Sequence, residues 1–286
     1  TIAGLQFGSL FSADRYRRMK RVDKWLNQII QGDCLEVMRD IPDKSVDMIL
    51  CDLPYGTTAC KWDTIIPFEP LWEQYERIIK DNGAIVLFGS QPFTSILVTS
   101  NLKLFKYEWI WKKSKGCNFT HAKNMPIKFH ESVCVFSKAP IGHESILKER
   151  RMVYNPQNLK RVNKKWSRPR KYDTEHGLKR ESHKLERIIE FENYPKSTLE
   201  FGNSDNRERG LHPTQKPVAL FEYLIKTYTQ PGEIVLDNCA GSGTTAVAAL
   251  NTGRFFIGIE KEPKYVEIAR KRVEQAQAQR SLFGTM

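Results

Sequence analysis

Short apolar runs alternate along this chain with apolar stripes at helical spacing. Val46–Cys51 is such a run, closed by Asp52, and predicts a buried strand. Residues 69–80 predict a helix: Pro70 suits its first turn, and Leu71, Trp72, Tyr75, Ile78 and Ile79 share a face. Asp81-Asn82-Gly83 is expected to stop it, with a second strand over 84–88. Residues 107–111 and 132–136 read as further strands. From about Ala139 to residue 210 the pattern turns polar and charge-rich, and this stretch reads as an inserted module. Regular alternation then resumes. A helix is expected over 217–228, a strand over 233–237, a helix over Thr244–Asn251 and a strand over 255–259. A last helix over 263–279 places Tyr265, Ala269, Val273 and Ala276 on one face. Strands alternating with helices predict an α/β fold, with a parallel sheet covered by helices on both sides. No internal repeat is visible.

Composition bounds this picture. The chain has 286 residues, 45 Lys+Arg against 33 Asp+Glu, and a formal net charge of +12. That length fits one large α/β domain carrying an inserted module. No two of the six cysteines form a C-x-x-C pair, so neither a zinc knuckle nor a thioredoxin-like site is indicated, and no metal is expected. Scattered cysteines fit a reducing compartment. The longest uncharged stretch, 82–102, contains Ser, Gln, Gly and Pro and is no membrane span. Residues 1–20 show weak pattern, end in Arg15, Arg17, Arg18 and Lys20, and read as a leader or tail, with Met19 a candidate native start. No secretory signal is recognisable there, so a cytoplasmic protein is expected.

The excess charge has an address. Residues 148–171 hold Lys148, Arg150, Arg151, Lys160, Arg161, Lys164, Lys165, Arg168, Arg170 and Lys171 against Glu149 alone, a net +9. Tyr154, Trp166 and Tyr172 are interleaved with them, and Pro156 and Pro169 interrupt any helix. A solvated basic loop is the plain reading. A nucleic-acid contact, with cations on phosphates and Arg, Asn and Gln on base edges, is the sharper one.

Two strand ends carry candidate chemistry. Ile234 to Asp237 is followed by Asn238-Cys239-Ala240-Gly241-Ser242-Gly243-Thr244-Thr245, a strand, a glycine turn and a helix start. Glycines let a ligand approach the backbone, and the helix N-terminus adds a positive dipole. The next strand ends in Glu260, 23 residues after Asp237, a spacing that suits a ribose diol. The loop lacks the Gly-Lys-Ser/Thr ending of a phosphate-binding P-loop. Asp237 would repel a pyrophosphate but suits the ammonium of an amino acid. A ligand with both ribose and amino acid parts is S-adenosylmethionine; a plain tight turn is the alternative. After the first strand comes Asp52-Leu53-Pro54-Tyr55-Gly56. A carboxylate, a rigid turn and an aromatic can receive a flat, amino-bearing ring, or simply cap a turn.

Taken together these motifs resemble the amino-group DNA methyltransferases of the β arrangement. Asp52-Leu53-Pro54-Tyr55 is similar to that family's D-P-P-Y motif, with Leu53 in place of the first proline. It is followed by a middle insert, by His212-Pro213-Thr214-Gln215-Lys216-Pro217, and by the glycine loop. Gln31-Gly32-Asp33-Cys34-Leu35 resembles the segment that meets the cofactor's adenine. The resemblance implies a Rossmann-like S-adenosylmethionine-dependent sheet with permuted motif order. Residues 21–138 would be the catalytic half, 139–210 a target-recognition insert, 211–278 the cofactor half and 279–286 a tail.

It further implies that Asp52 and the Leu53 carbonyl accept the two amino hydrogens, that Pro54 shapes the turn and that Tyr55 stacks on the target base. Asp237, Gly241, Gly243 and Thr244 would cradle the methionine part, with Thr214 and Lys216 nearby. Glu260 would hold the ribose and Asp33 would face the adenine. Members with Asp at the first motif position mostly methylate adenine N6, whereas Ser is commoner for cytosine N4, so adenine in double-stranded DNA is expected. Cytosine N4, an RNA substrate and a catalytically silent DNA-binding protein are the alternatives. Phe129-His130-Glu131 reads as structural, in a strand pair behind the pocket. Gln279 to Phe283 resembles a sliding-clamp-binding peptide, with a frayed helix end as the plainer reading. A homodimer is compatible with the sequence, and the recognition sequence is not legible in it.

Overall fold

The computed structural model describes residues 20–57, 63–167, 186–202 and 215–283. They divide into two compact units, one of residues 1–155 and 197–286, the other of 156–196.

The first unit is a three-layer α/β/α sandwich. Its strands are β1 (Gln28–Gln31), β2 (Val46–Cys51), β3 (Ile79–Gly89), β4 (Phe105–Cys117), β5 (Lys128–Phe136), β8 (Thr198–Phe201), β9 (Ile234–Asp237) and β10 (Phe255–Glu260). They form one sheet in the order β1-β10-β9-β2-β3-β5-β4-β8. Helices α1 (Cys34–Arg39), α2 (Phe68–Ile78) and α3 (Phe93–Ser100) cover one face. Helices α4 (Val218–Tyr228), α5 (Thr244–Asn251) and α6 (Pro263–Phe283) cover the other. The alternation of a pleated strand explains the division: Met48 and Leu50 of β2 enter the core under α4, while Ile49 and Cys51 enter the core under α2. All six residues of β2 are buried, as a strand covered on both faces requires.

The expected parallel sheet is corrected at one strand. β5 runs antiparallel to both β3 and β4. Only ten residues link β4 to β5, too few for a crossover helix, so the chain turns back as a hairpin. The second strand also begins earlier than expected. Asp81-Asn82-Gly83 does not separate helix from strand. Ile79 already pairs with Val46, and the register then jumps to Met48 opposite Ala84, so residues 80–83 bulge out within β3. Gly83 fits there because a Cβ would stand 2.7 Å from the Asp47 carbonyl oxygen. α6 continues through Phe283, so the clamp-like residues from Gln279 onward fall on a helix rather than an extended tail.

Strands β9 and β10 step to one side of the sheet and β2 and β3 to the other. The connections therefore diverge between β9 and β2, the switch point at which α/β sheets open a crevice at their strands' C-terminal ends.

The second unit holds a hairpin, β6 (Lys160–Ser167) and β7 (Glu186–Glu192), paired antiparallel. The polar stretch read as one insert is thus shared between units. Residues 139–155 belong to the first, where Met152 N–H bonds the Pro140 carbonyl and Asn155 N–H bonds the Thr227 carbonyl.

Candidate active site

A cleft of about 1130 Å³ opens at that switch point. It is lined by Asp33, Asp52, Leu53, Pro54, Tyr55, Lys216, Asp237, Gly241, Thr244 and Glu260. Motifs separated by up to some two hundred residues therefore share one cavity. Gly243 does not line it but serves it from behind. Its φ is +81°, and a Cβ there would lie 3.0 Å from the Ala269 Cβ, so only glycine closes this turn without strain. Thr214, His212 and Pro213 lie outside the described residues.

The cofactor-like half is held by short-range hydrogen bonds. Asp237 ends β9; one oxygen accepts the Cys239 N–H at 3.0 Å and the other accepts the Thr245 hydroxyl. Burial pushes its carboxyl up to about 6, against those two bonds. Glu260 ends β10, accepting the Gly241 N–H at 2.7 Å and the Glu262 N–H at 2.8 Å. Burial raises its carboxyl too. Asp33 caps α1 through the Leu35 N–H at 3.0 Å and meets Lys261 at 3.3 Å. Tyr75 of α2 donates to the Asn238 side chain at 2.6 Å and ties the glycine turn to the helix layer.

The loop after β2 is held differently. Asp52 Oδ1 accepts the Tyr55 hydroxyl at 2.8 Å, and Oδ2 accepts Lys216 Nζ at 2.5 Å. Burial raises the Asp52 carboxyl, and Lys216 opposes the rise. Leu53 is buried and packs into the core. The Tyr55 ring stacks on Phe93, with centroids 5.0 Å apart. Gly56 and Thr57 each donate a backbone N–H to Asp63 at 2.9 Å, a clamp on the loop that sequence reading did not single out. Nor did it find a site role for Glu131. This β5 residue lines the cleft and forms buried ion pairs with Lys113 of β4 and, at 3.3 Å, with Lys216. Its only signal was a carboxylate where the apolar run of that strand begins.

The described basic residues divide between the two units. Lys148, Arg150 and Arg151 belong to the first unit, and Lys160, Arg161, Lys164 and Lys165 stand on β6 of the second. Arg168, Arg170 and Lys171 lie outside the described residues. The four on β6 are exposed, and Lys160 pairs with Glu192 of β7 at 3.5 Å.

Residues 46–271 match the family model described as DNA methylase, with N6 and N4 amino methylation in its name. The chain belongs to this family. Among curated relatives, the type II methyltransferase M.HinfI of Haemophilus influenzae is 27% identical over 90% of this chain and 70% of its own. Among solved structures, the M1.HpyAVI complex with S-adenosylmethionine is 25% identical, with a TM-score of 0.58 over 86% of this chain and 98% of its own. The cytosine-N4-specific PvuII DNA methyltransferase is 16% identical and shares the fold, with a TM-score of 0.58 over 91% of this chain and 95% of its own. This protein is thus an S-adenosylmethionine-dependent DNA methyltransferase. Its cleft has room and chemistry for that cofactor: a glycine turn that a Cβ would strain lies between two strand-end carboxylates, Asp237 and Glu260. No helix among the described residues is long and apolar enough to cross a membrane.

Proposed function

We propose that this methyltransferase, acting in the cytoplasm, methylates the N6 amino group of adenine in double-stranded DNA. The observation that carries the reading is Asp52 at the end of β2, facing the same cleft as Asp237, Gly241 and Glu260. When bound, S-adenosylmethionine supplies an electrophilic methyl on a sulfonium. Asp237 would hold its ammonium and Glu260 its ribose, with Gly241 and Thr244 along the methionine part and Asp33 at the adenine.

An exocyclic amine is a poor nucleophile because its lone pair is delocalised into the ring. Asp52 and the Leu53 carbonyl accept its two hydrogens and draw the nitrogen towards tetrahedral geometry. Positioning of this kind supplies much of the catalysis. The raised Asp52 carboxyl suits it to take the proton that the nitrogen releases. Tyr55, backed by Phe93, offers a ring for the base to stack on. The base must leave the duplex to arrive there.

The turn between β4 and β5 is suited to meet that duplex. Cys117, Asn118 and Lys128 line the cleft, Phe119 is 74% exposed and Met125 51%. No acidic residue occurs from Lys112 to His130, where five lysines do. Apolar side chains beside cations suit the gap that a displaced base leaves. The exposed cations of β6 would add phosphate contacts.

The test is methylation of defined duplexes followed by nucleoside mass spectrometry. N6-methyladenine is expected, and N4-methylcytosine without N6-methyladenine would overturn the adenine reading.

A further inference from the structure

Four charged side chains from four separate segments run in a row into the cleft. Lys113 of β4 pairs with Glu131 Oε1, and Glu131 Oε2 lies 3.3 Å from Lys216 Nζ. Lys216 Nζ in turn lies 2.5 Å from Asp52 Oδ2. The side chains of Lys113, Glu131 and Lys216 are 10%, 10% and 7% exposed, while that of Asp52 is 23% exposed. Removing charges from water this far is costly unless each is paired. The pairing is uneven. Glu131 Oε2 is buried, and its 3.3 Å contact with the Lys216 ammonium is looser than the 2.5 Å bond of that ammonium to Asp52. The closer partner of Lys216 is thus Asp52.

That arrangement competes with the proposed chemistry. Each Asp52 oxygen already accepts one hydrogen bond, from Tyr55 and from Lys216, so a target amino group has to share the carboxylate or displace a donor. An ammonium in contact with Asp52 also opposes the positive charge that develops on a nitrogen being methylated. Glu131 Oε2 is a ready second partner within reach of the same Nζ atom.

We propose that Lys216 is an exchangeable cation, capping Asp52 until the target amino group arrives and then passing to Glu131 Oε2, with Lys113 fixing Glu131 as the receiving anion. The inference rests on the amino-methylation reading above. It makes Lys216, Glu131 and Lys113 positioning residues. Their electrostatics agree with the exchange. Burial works against the Glu131 charge, but Lys216 and Lys113 outweigh it and hold its carboxyl below the usual range. Burial likewise disfavours the Lys216 charge, yet Asp52 and Glu131 keep it protonated. Lys216 therefore moves with its proton, and the proton shed by the methylated nitrogen goes to Asp52 and on to solvent. The groups that set Asp52 are Tyr55 on its own loop, Cys51 before it, Lys216, Glu131 on β5 with Lys113 behind it, and Asp237 on β9.

Two neutral variants separate this from a purely structural role. In Glu131→Gln the landing site is gone and Lys216 stays on Asp52. Single-turnover transfer to duplex DNA should slow by about tenfold or more, and the acid limb of its pH profile should move to lower pH. The Kd for S-adenosylmethionine should stay within about twofold of wild type, and Glu131→Asp should recover part of the rate. In Lys113→Gln the unneutralised Glu131 draws Lys216 away, and the acid limb should move the other way, to higher pH. Opposite shifts together with the slowed Glu131→Gln transfer support the exchange, since the shifts alone would also follow from the deleted charges with Lys216 at rest. A Glu131→Gln enzyme with wild-type rate and profile, or shifts of the same sign, would overturn it. Should Glu131→Gln fail to bind S-adenosylmethionine, the Lys113→Gln limb decides: upward supports the exchange, and unchanged or downward contradicts it. A wild-type chain that transfers no methyl to DNA would overturn the amino-methylation reading and this inference together. An active wild type beside indifferent variants overturns the inference alone.

Discussion

The two halves of the cleft satisfy their carboxylates by opposite means. On the β9–β10 side, Glu260 is held by two backbone N–H groups and Asp237 by one N–H and one hydroxyl, all within 19 residues in sequence. On the β2 side, Asp52 is held by the ends of two side chains, one a lysine 164 residues away. Backbone donors in a closed turn cannot swing aside, and lysine ammoniums can. The difference suits a cofactor half that is formed before its ligand arrives and a catalytic half that must exchange partners. Preorganised neutral donors bind without reorganisation, whereas an exchangeable cation favours the ionised form of a half-buried carboxylate until a substrate replaces it.

The sharpest way to break this comparison is at Asp52. Asp52→Ala should lower methyl transfer by about 10³-fold or more, since the amine loses its charged acceptor, as read by single-turnover transfer to duplex DNA. Residual transfer within about tenfold of wild type would place the acceptor elsewhere.

Asp237 gives the next largest effect. An ammonium needs the ionised carboxylate, so S-adenosylmethionine affinity should fall as pH drops through about 6, by up to about tenfold per unit below it. Asp237→Asn should bind more weakly and lose this dependence, as calorimetric titrations across pH would show. The folded carboxyl lies above its unfolded value. On its account the fold is most stable below the unfolded value and loses stability as pH rises to about 6.

What was legible in the sequence follows the same division. Motifs whose partners lie close in the chain were readable: the β2 run ending at Asp52, the glycine turn after Asp237, and Glu260 at the end of the next strand. Asp63 and Glu131 were not. Asp63 works by accepting two backbone N–H bonds, a role that residue type does not mark, and Glu131 acts through Lys113 and Lys216, which only the folded sheet brings beside it. The antiparallel β5 was hidden for a related reason. Residues 132–136 are buried whichever way the strand runs, so periodicity located the strand without its direction. Charge was legible as a sum but not in its distribution. The basic run near residue 160 is divided between two units, and two lysines outside it, Lys113 and Lys128, line the cleft.

Smaller effects sharpen the contrast. Gly243→Ala strains the turn behind the cofactor half and should cost roughly 1–3 kcal/mol, lowering Tm by a few degrees. An unchanged Tm would mean that the turn relaxes and that half is less rigid than its bonds imply. On the substrate side, Phe119→Ala should raise KM for duplex DNA several-fold with little change for a substrate whose target base is already unpaired. Equal effects on both substrates would remove the β4–β5 turn from the base-displacement step. Neutralising Lys164 and Lys165 on β6 should reduce the log–log salt slope of DNA binding by about 0.9 for each phosphate that is no longer neutralised. An unchanged slope would make them solvated charges.

The separation of the two halves is tested most directly by one calorimetric series, titrating S-adenosylmethionine into the wild type, Asp52→Ala, Asp237→Asn and Glu260→Gln at the same pH. Asp52→Ala should bind like the wild type, while Asp237→Asn and Glu260→Gln should each bind about tenfold more weakly or worse. An Asp52→Ala enzyme that loses the cofactor as severely as those two would contradict the account, because the cleft would then be one coupled site rather than a formed half and an exchanging one.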